Sequence, residues 1–206
     1  MKKIIYIPLF GIIFGCSGNS SEIDNNEQAA LKECFYTLNE NSFSVKWIAY
    51  KFTDKTPVEG TFNDVIINGN QTLNDLNNLV AGLSFEIPVS SINSNNPERD
   101  DKIKATFFGN LKDTDILSGK VINIDGNTLT LNLTVNGLTK EVKGTKSAEN
   151  GIFKFVAKLE LAKFDAGKAI DKLNQLCYDL HIGPDGISKL WDEVEISFEC
   201  TYQEKC

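Results

Sequence analysis

Apolar and polar residues alternate along this chain in a series of short runs. Phe43, Val45, Trp47 and Ala49 interleave with Ser44, Lys46, Ile48 and Tyr50, and Leu83, Phe85, Ile87 and Val89 with Ser84, Glu86, Pro88 and Ser90. Leu129, Leu131, Leu133 and Val135 interleave with Thr128, Thr130, Asn132 and Thr134. Phe153, Phe155, Ala157, Leu159 and Leu161 do so with Lys154, Val156, Lys158, Glu160 and Ala162. The last run sets Val194, Ile196, Phe198, Cys200 and Tyr202 against Glu195, Ser197, Glu199 and Thr201. Successive side chains of a strand point to opposite faces, so each run offers one face to a core and the other to water. Turn formers separate the runs: Asn68-Gly69-Asn70, Asp125-Gly126-Asn127, Asn136-Gly137 and Asn150-Gly151. The turn at Asp125-Gly126, between Val121 to Ile124 and Leu129 to Val135, is the clearest hairpin. Strands in series with short turns predict an all-β sandwich or barrel, and only barrel closure removes every exposed edge.

Two stretches break the alternation. Leu73, Leu76, Leu79 and Val80 recur at helical spacing within Thr72 to Val80, with Thr72 placed to cap a helix. From Ala166 to Leu180, the residues Ile170, Leu173, Leu176, Cys177 and Leu180 share one helical face, and Gly183-Pro184-Asp185-Gly186 then stops the helix. The pattern predicts one amphipathic helix between the last two strands, packed over a barrel mouth or wall.

The N-terminus follows another logic. Lys2 and Lys3 precede an apolar run from Ile4 to Phe14, too short to span a bilayer but suited to a signal-peptide core. It ends Ile13-Phe14-Gly15-Cys16, which resembles the bacterial lipobox, with Phe14 in place of the more usual small residue. Lipidation through sulfur requires a thiol at the new N-terminus, and Cys16 stands where that thiol belongs. Ser17 to Glu33 is rich in Ser, Asn, Asp and Glu and poor in apolar residues, a composition that cannot repay ordering. The expected organisation is a signal peptide over 1–15, a flexible tether over 16–33 beginning at the lipid-bearing Cys16, and a folded domain over 34–206. Such a chain belongs in the bacterial cell envelope, exported and membrane-anchored, on the periplasmic side or the surface.

Several segments of the folded part, in this order, resemble the YceI-like lipid-binding family. They are Tyr36 to Trp47, Val58-Glu-Gly-Thr-Phe62, Val89 to Asp100 with its Arg99-Asp100 pair, the aromatic pair Phe107-Phe108, Leu129 to Lys140, and Trp191 to Ile196. The sequence departs from the family pattern at Asn136, where a histidine is usual, and at Asp101-Lys102-Ile103, where a His-Leu pair is common. The resemblance implies an antiparallel lipocalin-like β-barrel enclosing an elongated apolar cavity, in a family associated with polyisoprenoids and other amphipathic lipids.

Charge and catalytic chemistry narrow the function. The chain carries 28 acids and 21 bases, a net charge of −7, and loses Lys2 and Lys3 with the leader. An acidic surface argues against nucleic acid as a partner. His181 is the only histidine, so a histidine-based metal cluster cannot form within one chain, and no cofactor is implied. Asp113 with Asp115, and Asp100 with Asp101, read as solvated loop acids. No phosphate-binding glycine loop is present, since Gly119 and Gly137 stand alone, and no serine sits in a nucleophile elbow. The chain therefore reads as a binding protein and not an enzyme.

The candidate ligand-binding surface is the inward apolar stripe of Phe43, Val45, Trp47, Phe85, Ile87, Leu131, Leu133, Phe153, Phe155, Val194, Ile196 and Phe198. Barrels of about eight strands are either filled by such side chains or hold one small ligand. The alternative is a structural or interaction lipoprotein with a packed barrel and a protein partner. Arg99 and Asp100 are candidates for the cavity mouth, or for a structural ion pair in a loop. Cys34, Cys177, Cys200 and Cys206 make an even number in an exported domain and are disulfide candidates. Cys200 and Cys206 on one extended strand lie about 20 Å apart, beyond disulfide reach. The expected pair is Cys34–Cys177, against free buried thiols.

Overall fold

The computed structural model describes residues 33–206. The expected signal peptide, the lipidation at Cys16 and nearly all of the tether lie outside the described residues. The order of elements is β1 (Phe35–Leu38), β2 (Ser44–Lys51), β3 (Thr56–Phe62), β4 (Ile66–Asn68), β5 (Thr72–Leu73), α1 (Leu76–Ala81), β6 (Ser84–Pro88), β7 (Ile92–Asn93), α2 (Pro97–Lys102), β8 (Ile116–Asp125), β9 (Thr128–Val135), β10 (Leu138–Glu149), β11 (Ile152–Glu160), α3 (Gly167–Leu176) and β12 (Leu190–Lys205).

The strands form one antiparallel sheet ordered β4-β6-β8-β9-β10-β11-β12-β2-β3-β7, with β1 added on β12 and β5 on β1. β6 lies near one end of this order and β7 at the other, yet only the helical turn Val89–Ser91 separates them in the chain. That short link draws the sheet's two ends together and curls it into a barrel, with a covalent seam where a ladder would otherwise run. The fold is thus the expected all-β antiparallel barrel.

Local chemistry explains the hairpins. Asn136 and Gly137 both take positive φ, as do Asn150 and Gly151, and each pair closes a two-residue turn between paired strands. Two positive φ values define the turn whose twist matches a hairpin, and Asn-Gly adopts them at least cost. In the β8–β9 turn the loop pair is Gly126-Asn127, and Gly126 alone is positive.

The helical predictions need three corrections. Thr72 does not cap a helix: it pairs with Thr37 in β5, and Asp75 caps α1 by accepting from the Asn78 N–H at 2.7 Å. The helix expected over Ala166 to Leu180 ends at Leu176 and continues after Cys177 as the turn Tyr178–His181. Its predicted face splits accordingly. Ile170 and Cys177 are buried, but Leu176, about 120° round α3 from Ile170, is 57% exposed, and Leu180, within the tighter turn, is 60% exposed. Helix α2, followed by one π-helical turn Ile103–Phe107, was not expected. Its signal stands in the sequence: Asn96 caps it by accepting from the Arg99 N–H at 3.0 Å, and Pro97 occupies its first turn.

The core has three parts. The largest joins α1 to the strand faces through Leu79, Val80, Leu129, Phe153 and Phe155, and contains the buried Cys200. A second gathers Trp47, Phe62, Ile87 and Ile92. A third seats α3 on the π-helical turn through Phe107, Ala166, Ala169 and Ile170.

The disulfide is Cys34–Cys206, not Cys34–Cys177. β1 pairs with the end of β12 in the register Phe35↔Lys205, so Cys34 comes to lie opposite Cys206. Cys177 and Cys200 are free and buried.

Candidate functional site: an apolar cavity with a basic antechamber

The inward faces of the strands surround a cavity of about 210 Å³. Of the residues expected to line it, Val45, Trp47, Phe85, Ile87, Leu131, Leu133, Phe153, Phe155, Val194, Ile196 and Phe198 do so. Phe43 does not. It precedes β2 at the end of the turn Glu40–Ser42, and its ring packs on Phe198 with centroids 5.5 Å apart. Several wall residues on β2, β6 and β12, such as Val45, Phe85 and Ile196, are only half-buried although they face inward. The cavity leaves them without atoms to touch.

The sequence reading missed part of the wall. Ile103, Phe107 and Phe108 reach in from the π-helical turn and the residue after it, and Ile170 and Leu173 from α3. The Phe107 and Phe108 rings meet edge to face at 5.0 Å. The π-helical turn follows α2, which strand alternation could not reveal, whereas the α3 part of the cover agrees with the helix expected over the barrel mouth or wall. Ser197 is the one hydroxyl side chain on a wall otherwise made of aliphatic and aromatic residues.

A second cavity, of about 430 Å³, adjoins the first and shares Trp47, Ala49, Ile103, Leu173 and Leu190 with it. Its remaining wall mixes Tyr50, Val58, Cys177 and Leu180 with polar and charged groups: Lys51 from β2, Asn96, Glu98, Arg99 and Lys102 around α2, and His181 from the turn after α3. Lys102 and Glu98 pair at 2.7 Å, and this bond holds the Glu98 carboxyl below its ordinary range and the Lys102 ammonium above its own. The Lys51 ammonium touches the Leu180 carbonyl at 3.4 Å and lies over the Phe52 ring, with no carboxylate paired to it among the described residues. The half-buried Arg99 side chain makes no hydrogen bond or ion pair among the described residues. The His181 Nδ1 lies 2.8 Å from Asn174 Oδ1. Burial, with Lys51 adding to it, holds this imidazole below its ordinary 6.5.

Arg99 and Asp100 therefore part company. Arg99 faces the second cavity, as a mouth residue would. Asp100 does not: it is buried, and its Oδ1 accepts from the Ser94 N–H at 2.9 Å and the Ser94 hydroxyl at 2.5 Å. Adjacent residues on a helix point about 100° apart, so both cannot face one opening. Asp100 ties the start of α2 to the end of β7. Asn136 is likewise structural, donating from Nδ2 to the Phe164 carbonyl and accepting the Lys112 N–H at Oδ1.

Among the described residues, Cys34, Glu204 and Cys206 lie close enough together to suggest a metal site, but both thiols are spent in the disulfide. Burial pushes the Cys200 thiol up to about 12 and also raises that of Cys177. Neither is poised as a nucleophile.

The family model described as YceI-like domain matches residues 36–202. Two of the solved structures that match share the fold as follows. One is a polyisoprenoid binding domain from Saccharophagus degradans implicated in plant cell wall breakdown, at 12% identity and a TM-score of 0.56, covering 82% of this chain and 98% of that one. The other is BcnA from Burkholderia cenocepacia, at 17% identity and a TM-score of 0.53, covering 81% and 99%. At such identities the likeness is one of fold. A search of curated proteins finds no match.

Proposed function

The chain belongs to the YceI-like family, and we propose that it is an envelope lipoprotein whose barrel holds an elongated, mostly apolar ligand, a polyisoprenoid or another lipid. Its role is transport, storage or sequestration, with Cys16 as the membrane anchor and residues 16–33 as the leash. The observation that carries this reading is the cavity of about 210 Å³ with its nearly unbroken apolar wall. Left empty, such a space costs its lining the dispersion contacts that close packing would give. Water does not offset that cost, because an apolar cavity stays dry. An apolar chain does, contributing about 25 cal/mol for each Å² it buries. The S. degradans relative's described ligand class supports the same choice. A packed barrel with a protein partner, the other reading of the sequence, has no use for this void. Catalysis has no support in the wall chemistry, which lacks convergent polar groups around the apolar space.

Native mass spectrometry of the protein purified from its own cells tests the proposal. The expected spectrum contains a protein–lipid complex whose ligand appears in an organic extract. A spectrum of bare protein, and an extract without lipid, would overturn it.

A further inference from the structure

The segment that leaves α3 puts apolar side chains into solvent. Among the described residues ten large apolar side chains are exposed, and five of them, Leu176, Tyr178, Leu180, Ile182 and Ile187, fall within residues 176–187. The other five are spread over β1, β4, β8 and β11. Single exposed apolar residues are ordinary, whereas a cluster marks an interaction surface. The exposure is built in. Ile182 bridges to Ser188, and the Lys189 N–H donates to the His181 carbonyl at 3.1 Å, so the segment closes on itself. The Thr53 hydroxyl on Asp185 at 2.6 Å and the Lys51 ammonium on the Leu180 carbonyl at 3.4 Å tie it to β2 and the turn after it. Lysines and aromatic rings border the segment. Lys51 lies over the Phe52 ring at 4.4 Å, and Lys55 and Lys189 lie over the Trp191 ring at 4.5 Å and 4.8 Å. Of the segment's two acids, Asp185 is held by Thr53 and the Ile187 N–H, and Asp179 stands in solvent.

We infer that residues 176–187 are a membrane-docking segment, which lowers its apolar side chains among phospholipid headgroups while Lys51, Lys55 and Lys189 meet the phosphates. The border favours a bilayer over a protein partner. Lysine is depleted where proteins bind proteins. At a bilayer surface its stem lies along apolar groups while its ammonium reaches the phosphates, and Tyr and Trp settle at headgroup level. In a chain of net charge −7, three lysines beside an apolar segment turn this edge toward phosphate, and the acidic remainder away from it. Leu180 also lines the second cavity, the antechamber, and Trp191 the apolar one. Docking therefore sets the antechamber against the bilayer, where an apolar molecule passes without crossing water. The inference does not depend on what the barrel holds. Apolar surface equal to one acyl chain gives only marginal, reversible binding, and this segment offers no more; firm attachment stays with Cys16.

Co-sedimentation with vesicles of phosphatidylcholine and phosphatidylglycerol tests the inference. The protein used is the chain from Ser17 to Cys206, which keeps every described element of the fold and carries neither leader nor lipid. The expected result is sedimentation that rises with lipid concentration and that Leu176→Ser combined with Ile187→Ser weakens roughly tenfold. Neither residue lines a cavity, so the thermal melt of this variant stays that of wild type. Lys189→Gln should weaken binding roughly fivefold, the worth of one lysine at an anionic surface. Ile122→Ser, which removes an exposed isoleucine from β8, should leave it unchanged. In Tyr178→Trp the new indole's emission should shift to the blue when vesicles are added. Wild-type protein that stays in the supernatant at every lipid concentration overturns the inference. So does a double serine variant that sediments as wild type does, or an Ile122→Ser variant that loses as much. Light scattering that shows self-association, lost in the double variant, with no vesicle binding, assigns the segment to a second copy of the chain and overturns docking. Protein that docks on vesicles yet carries no lipid in native mass spectrometry upholds docking and sinks the lipid-carrier reading alone.

Discussion

The indole of Trp47 lies across Gly60, its cross-strand partner, so closely that a β-carbon on Gly60 would overlap the ring. The same device recurs where Phe85 covers Gly119. A strand glycine gives an aromatic ring room to lie flat on the neighbouring strand and keeps it from filling the barrel's interior. These pairs shape the cavity wall as much as the residues that line it.

Gly60→Ala should therefore destabilise the domain by about 1–3 kcal/mol, since the indole or the strand has to move. Urea denaturation followed by tryptophan fluorescence measures the change. A stability equal to wild type would mean that Trp47 shifts freely.

The disulfide predicts a particular peptide map. Non-reducing digestion should yield Cys34 linked to Cys206, and no peptide linking either to Cys177 or Cys200. The bridge closes a loop with a sequence separation of 172. A chain-entropy account gives about 5 kcal/mol for so long a loop, and Cys206→Ser should cost between about 2 and 5 kcal/mol. Cys200, buried and with its thiol pushed up to about 12, should resist alkylation in the native protein and label once it is denatured.

Leu133 lines the cavity and pairs across the sheet with Gly119. Leu133→Trp should enlarge into the empty space, block lipid uptake and leave the melting temperature within a few degrees of wild type. Overpacking of a filled core would instead cost about 1–3 kcal/mol. Melts and lipid extraction of the same variant tell the two outcomes apart.

His181 should make stability depend on pH. Its folded value is held below the ordinary 6.5 by burial first and Lys51 second. As pH falls through 6.5 the unfolded chain takes up the proton before the folded one does. Stability is then lost progressively down to the depressed folded value, and is fully present above 6.5. His181→Gln should flatten the melting temperature between about pH 7 and pH 5. An unchanged slope would assign the dependence to other groups.

Cys16→Ala should move the protein from the membrane fraction to the soluble one, because acyl chains contribute about 0.8 kcal/mol per buried CH₂ and nothing else in the proposal anchors it. Fractionation and immunoblotting decide the matter. A variant that stays as firmly bound as wild type would discard the anchor.

What the amino-acid order determined by itself was local. Alternation placed Val45, Trp47, Leu131, Leu133, Phe153 and Phe155 on one face, because side-chain direction in a strand has a fixed period. Asn136-Gly137 and Asn150-Gly151 announced their turns, because few other pairs accept two positive φ values. Asn96-Pro97 likewise encodes the start of α2 locally, as an N-cap followed by a first-turn proline. The tertiary structure alone decided what depends on distant segments meeting. The pairing of Cys34 with Cys206 follows from the register of the first strand on the last, which nothing near either cysteine encodes. The division between Arg99 and Asp100 follows from where Ser94 lies once β7 has paired. The antechamber exists only because β2, α2, the turn after α3 and the start of β12 converge. Whether the barrel is filled or hollow turns on how closely its walls approach. That is set by barrel curvature and by glycines under aromatic rings, and a pattern of apolar residues looks the same in both cases.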